Sequence, residues 1–141
     1  MARPESPPAA LLPHLRRAKD LMDRAYDEAL DLRAIAREAG CSPYHFLRSF
    51  HAAYGETPGR YLTRRRIERA MDLLRATNLT VTEICFLVGF SSLGSFSARF
   101  SELVGASPTA YRAEAVRTGG PPPIPGCFVF MWTRPAVRNS R

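Results

Sequence analysis

The sequence predicts an all-α protein of about seven helices, forming two helix-turn-helix subdomains joined by a long linker helix. Three observations carry that expectation. The chain repeats itself internally, so one architecture is used twice. Each copy reads as a capped helix, a glycine stop and a second capped helix. Apolar residues recur at three- and four-residue spacing, and no alternating stretch suggests a strand before the C-terminal tail.

The repeat runs at an offset of 49 and then 50 residues. Ile35-Ala36, Gly40 and Ser42 recur as Ile84-Cys85, Gly89 and Ser91. Phe46, Phe50, Gly55, Pro58 and Tyr61 recur as Phe96, Phe100, Gly105, Pro108 and Tyr111. In the first copy, about residues 31–54, Asp31 caps a helix carrying Leu32, Ile35, Ala36 and Ala39, and Gly40 supplies the left-handed stop. Ser42-Pro43 opens the next helix, with serine as the cap and proline where its missing N–H is harmless. Phe46, Phe50 and Ala53 line one face of that helix, leaving Tyr44, His45, Leu47, Arg48 and His51 elsewhere. In the second copy, about residues 80–104, Thr80-Val81-Thr82-Glu83 has the capping-box form, and Ile84, Cys85 and Val88 make the buried stripe up to Gly89. Phe90 then plugs the core, and Phe96, Phe100 and Leu103 face inward on the following helix.

Thr57-Pro58 opens a linker helix of about residues 57–76. Arg60, Arg64, Arg65, Arg66, Arg69 and Arg75 meet only Glu68 and Asp72 within it, so a basic face is expected. A helix from about Leu15 to Ala29 precedes the repeat, and a short one begins at Ser107-Pro108. The domain proper is expected over 14–115. Residues 1–13, proline-rich with little to bury, are expected to be disordered. Residues 116–141 form a Pro/Gly-rich tail, whose apolar segment 127–132 is expected either to fold back on the helices or to meet a partner.

With 45% hydrophobic and 23% charged residues in 141, the composition is that of one soluble globular domain. No apolar run reaches the roughly 20 residues of a membrane span, and no secretory start is seen, so a cytoplasmic protein is expected. Cys41, Cys85 and Cys127 are odd in number and scattered, which suggests neither disulfides nor a metal site. His14, His45 and His51 have no nucleophile or carboxylate at catalytic spacing, so neither an enzyme nor a cofactor is expected. The net charge of +7 favours a polyanionic partner.

Two paired helices at fixed separation, combined with positive charge, sharpen that partner to double-stranded DNA. The major groove admits one α-helix and is read by side chains near its N-terminal turns. Tyr44, Leu47 and Arg48 hold those positions in the first copy; Leu93, Gly94, Ser95 and Arg99 hold them in the second. A linker of about 19 residues at about 1.5 Å each spans about 28 Å, comparable to the roughly 34 Å between successive major-groove faces. Phosphate contacts are expected from Ser42, His51, Arg64, Arg65, Arg66, Arg69, Ser91 and Ser92.

The stretch Val81-Thr82-Glu83-Ile84-Cys85-Phe86-Leu87-Val88-Gly89-Phe90-Ser91-Ser92, continuing through Phe96-Ser97, Phe100, Gly105, Ser107-Pro108 and Tyr111-Arg112, resembles the signature of the AraC/XylS family. The first copy agrees at Ile35-Ala36, Gly40, Ser42-Pro43, Phe46-Leu47 and Phe50, so the resemblance covers about Leu15 to Ala115. It implies a seven-helix domain that binds promoter DNA through two recognition helices, commonly as an activator contacting RNA polymerase. Carried over by position, base reading falls on Tyr44, Leu47, Arg48, Leu93, Gly94, Ser95 and Ala98. Gly94 and Ala98 depart from the pattern, many relatives having arginine where Ala98 stands, so the second unit is expected to read fewer bases. The chain resembles the standalone members, which implies binding as a monomer, with control through protein amount or a partner. The competing reading is a protein-interaction module, or a partner-dependent nonspecific DNA binder, that works through the apolar tail.

Overall fold

The computed structural model describes residues 8–119, and the apolar segment 127–132 lies outside them. A 3-10 turn, Ala9–Leu11, leads into α1 (Leu12–Arg24), followed by α2 (Leu32–Glu38), α3 (Pro43–Tyr54), α4 (Pro58–Ala76), α5 (Val81–Leu87), α6 (Leu93–Val104) and α7 (Pro108–Arg117). The protein is all-α, with seven α-helices among the described residues. It divides into two compact units, Met1–Ile67 and Glu68–Arg141, the division falling inside α4.

The helix starts follow from local chemistry. A side-chain oxygen of Asp31, Ser42, Thr80, Ser92 and Ser107 accepts from the N–H three residues on, satisfying a donor the helix cannot satisfy itself. Gly40 (φ 68°) and Gly89 (φ 100°) take the left-handed conformation that ends α2 and α5 and turns the chain into the next helix.

In the first unit Leu15, Ala18 and Met22 of α1 pack on Ile35 and Ala36 of α2 and on Phe46 and Phe50 of α3, all essentially closed to solvent. Phe50 is the hub. Its ring centroid lies 5.6 Å from Phe46, 4.7 Å from Tyr54 and 5.8 Å from Tyr61, the last edge-on, a geometry aromatic pairs favour. The second unit repeats the device, with Phe100 at 5.8 Å from Phe96 and 5.7 Å from Tyr111. Phe90, half-buried, closes against Phe96 at 5.3 Å. Cys85 is buried, and that burial pushes its thiol up from the ordinary value, disfavouring the reactive thiolate.

Two expectations are corrected. The disordered N-terminus expected through residue 13 is helical from Ala9, because Leu11 and Leu12 find apolar partners on the first core. The first helix ends at Arg24 rather than near Ala29, and Ala29 is exposed. The reason is a long-range contact: Arg66 donates from Nε to the Tyr26 carbonyl at 2.6 Å and from Nη2 to the Glu28 carbonyl at 2.8 Å, holding the intervening chain as a turn.

Candidate nucleic-acid interface

In the first unit, α3 presents the chemically rich face. Tyr44 stands in its first turn with 69% of its surface exposed. Arg48, one turn on, lies with its guanidinium 5.7 Å from the Tyr44 ring centroid, within the range of a cation–π contact. The contact limits where the guanidinium can go, and Arg48 remains exposed. Leu47 is half-buried beside the pair, while Ser42 and His51 are exposed at the two ends of the helix. Ser42 Oγ accepts from the His45 N–H at 3.3 Å, and its hydroxyl can still donate.

The second unit has the same frame and poorer chemistry. Ser91, Ser92, Leu93, Gly94, Ser95, Ala98 and Arg99 are all exposed at or along α6. Gly94 has no heavy atom within 4 Å of where a Cβ would sit, so packing does not require glycine there. Ser92 Oγ accepts from the Ser95 N–H at 3.2 Å. Arg99 is paired with Glu102 at 2.5 Å, both about half exposed, so a carboxylate competes for the only cation of the group.

The linker arginines are less available than the sequence suggests. Arg64 meets Glu56 at 2.6 Å, and Arg65 meets Asp23 at 3.2 Å. Both keep about two fifths of the side chain exposed, so they can still serve a phosphate. Arg66 differs: it is half-buried on the two carbonyls of the turn, and burial lowers its pKa, partly offset by Asp27. Two of its five N–H donors thus serve backbone oxygens, which gives it a bracing role that the sequence did not suggest. Arg69 is half-buried in the middle of α4.

Sequence reasoning missed Asp23 and Glu56. Asp23 accepts from the Tyr61 hydroxyl at 2.5 Å and also pairs with Lys19 at 3.7 Å, tying α1 to the start of α4. Burial, and then this hydrogen bond, raise the Tyr61 pKa, keeping the phenol a donor. In the second unit Arg112 does what Arg66 does in the first, donating to the carbonyls of Leu74 at 3.1 Å and Thr77 at 3.3 Å. Positions 66 and 112 are not partners in the sequence repeat, so self-comparison gives no sign of the shared role.

Twin helical pairs, each offering the outer face of a second helix and each braced by an arginine on backbone carbonyls, define an all-α double helix-turn-helix domain. Residues 35–114 match the family described as "Helix-turn-helix domain". The chain belongs to the AraC/XylS family of helix-turn-helix transcription regulators.

Among curated relatives it is 40% identical over 83 residues to the HTH-type transcriptional activator AarP of Providencia stuartii, covering 59% of this chain and 62% of AarP. It is 41% identical over 78 residues to the HTH-type transcriptional regulator Rv1931c of Mycobacterium tuberculosis, covering 55% of this chain and 30% of that one. The chain thus spans less than two thirds of either relative. Among solved structures, the DNA-binding domain of AdpA, in complex with a target DNA, superposes with a TM-score of 0.71 at 30% identity, over 75% of this chain and 97% of that one. An AraC-type regulator from Chromobacterium violaceum gives 0.69 at 30% identity, over 79% of this chain and all of that one.

Proposed function

We propose that the chain is a sequence-specific regulator of transcription that reads two adjacent major-groove segments of promoter DNA, α3 in one and α6 in the other. The observation that supports it best is the exposed Tyr44–Arg48 stack, which presents a preoriented guanidinium where a recognition helix meets base edges. Base reading falls to Tyr44, Leu47 and Arg48 in the first unit and to Leu93, Gly94, Ser95, Ala98 and Arg99 in the second. The first unit supplies most of the discrimination, because Gly94 and Ala98 offer no polar side chain and Arg99 is paired with Glu102. Ser42, His51, Arg64, Arg65, Arg69, Ser91 and Ser92 serve phosphates, which fix register without reading sequence. The chain acts in the cytoplasm as an activator that binds DNA as a monomer and contacts RNA polymerase; the activator role follows the naming of AarP.

The test is to select bound fragments from sheared genomic DNA and footprint the best one. One chain per site, protecting two unequal boxes about 10 base pairs apart, is the expected result. A single box, or protection that appears only at two chains per site, contradicts the two-helix reading.

Arg66 separates bracing from phosphate binding. Arg66→Met should cost about 1–2 kcal/mol of stability by leaving two carbonyls without their donor. It should also leave the salt dependence of DNA binding unchanged, since each phosphate contact contributes about 0.9 to that slope. Urea melts and titrations at several salt concentrations check both. A shallower slope with unchanged stability would restore Arg66 to the phosphate set.

A further inference from the structure

The second unit carries a groove of about 500 Å³ between the end of α4 and α7, within the range of about 300–1,000 Å³ that holds ligands. Half-buried Ala76, Tyr111 and Ala115 line it, with Arg75, Glu114 and Thr118 more exposed at its edge. Arg75 cannot readily fold into it: the guanidinium donates to the Tyr111 hydroxyl at 2.6 Å and to Asp72 at 2.5 Å. The groove therefore has a small-residue and aromatic lining under a fixed polar edge.

We propose that this groove is the docking site of the chain's own segment 127–132, Cys-Phe-Val-Phe-Met-Trp. Where the chain leaves α7 favours this occupant. Thr118 is both a groove residue and the C-cap of α7, and Gly119 follows at φ 81°, turning the chain off the helix axis. Residues 119–126, Gly-Gly-Pro-Pro-Pro-Ile-Pro-Gly, separate it from the segment. Eight residues of such composition reach up to about 25 Å at about 3.1 Å each. The groove needs less, because Tyr111 and Thr118 are about 10 Å apart along α7 at about 1.5 Å per residue. The chemistry also matches: the segment has no charged side chain, and an aromatic ring seated on Ala76 and Ala115 lies beside the Arg75 guanidinium, which favours ring faces.

The proposal does not depend on the DNA reading, and its test uses no DNA. Trp132 is the only tryptophan of the chain, so its fluorescence reports on the segment directly. The full chain should give blue-shifted emission protected from acrylamide, unchanged on dilution. Ala115→Arg and Ala76→Arg, which place a charge in the groove, should each shift the emission to the red and expose it to quencher while the helical circular dichroism stays the same. Ala115→Ser should behave as the parent.

Solvent-exposed emission in the parent chain overturns the proposal, as does protected emission that neither arginine variant changes. Protection lost on dilution, as a dimer dissociates, assigns the groove to a second copy and overturns it too. Should an arginine variant lose helical signal, nuclear Overhauser contacts in the unaltered chain decide the matter. Contacts between segment rings and the Ala115 methyl or Tyr111 ring support docking, and their absence contradicts it.

Discussion

Phe50→Ala should remove about 3–5 kcal/mol of stability, the range for deleting a phenyl ring from a packed core. The ring is fully buried and is the common neighbour of Phe46, Tyr54 and Tyr61, so its loss opens a void among side chains from α3 and α4. Tyr54 and Tyr61 cannot collapse into that void freely, since Tyr61 is held by its hydrogen bond to Asp23 and both rings face Lys19 at under 6 Å. Against a typical total of about 5–15 kcal/mol, the first unit should be largely unfolded in mild urea. Phe100→Ala should act in the same range on the second unit, where Phe96 and Tyr111 flank the ring. Urea titration followed by circular dichroism measures both, and a loss under about 1 kcal/mol would show that the aromatic hub is not what holds the unit together.

Arg48→Ala should weaken binding to the selected DNA site by about 5- to 150-fold, the equivalent of about 1–3 kcal/mol for one good bidentate base contact. Binding to scrambled DNA should fall far less, because only a phosphate-independent contact is removed. Stability should change by no more than about 0.5 kcal/mol, since the side chain lies on the exposed face of α3. Tyr44→Ala should reproduce part of the loss by freeing the guanidinium from its stack. Competitive titration against single-base variants of the site checks the claim: relaxed preference at one position is expected. An equal loss on every sequence would reassign Arg48 to a phosphate.

What the sequence revealed was governed by range. Asp31, Ser42, Thr80 and Ser107 are legible as caps because a cap and the N–H that donates to it lie three residues apart, and Gly40 and Gly89 because a left-handed stop is a property of one residue; the cap of α6 is Ser92, one residue on from the Ser91 that the repeat pairs with Ser42. The all-α architecture was readable for the same reason, its helix starts and buried stripes being local and stated twice. The end of α1 was not, because Ala25 and Ala29 continue the helical period and alanine favours helix. What stops it is Arg66, reaching the Tyr26 carbonyl 40 residues away in sequence.

The availability of the linker arginines was misjudged similarly. Within α4 only Glu68 and Asp72 could be weighed against them, whereas Arg65 is balanced by Asp23, 42 residues away, and Arg64 by Glu56 just outside the helix. Apart from the Tyr44–Arg48 contact and the Arg99–Glu102 and Arg75–Asp72 pairs, which lie three or four residues apart on one helix, the electrostatics of the face depend on folding. That is why charge counting within α4 does not reveal the carboxylate and carbonyl partners of these arginines.

The central claim, that the chain reads sequence through paired recognition helices, is tested most directly by titrating the best genomic fragment and a scramble of it side by side at physiological salt. Salt is held fixed because arginine–phosphate contacts alone give binding that fades as salt rises. The reading predicts that the selected duplex binds about a thousandfold or more tighter than the scramble. Equal affinity for the two duplexes would contradict it, leaving a protein that holds DNA by charge without reading it.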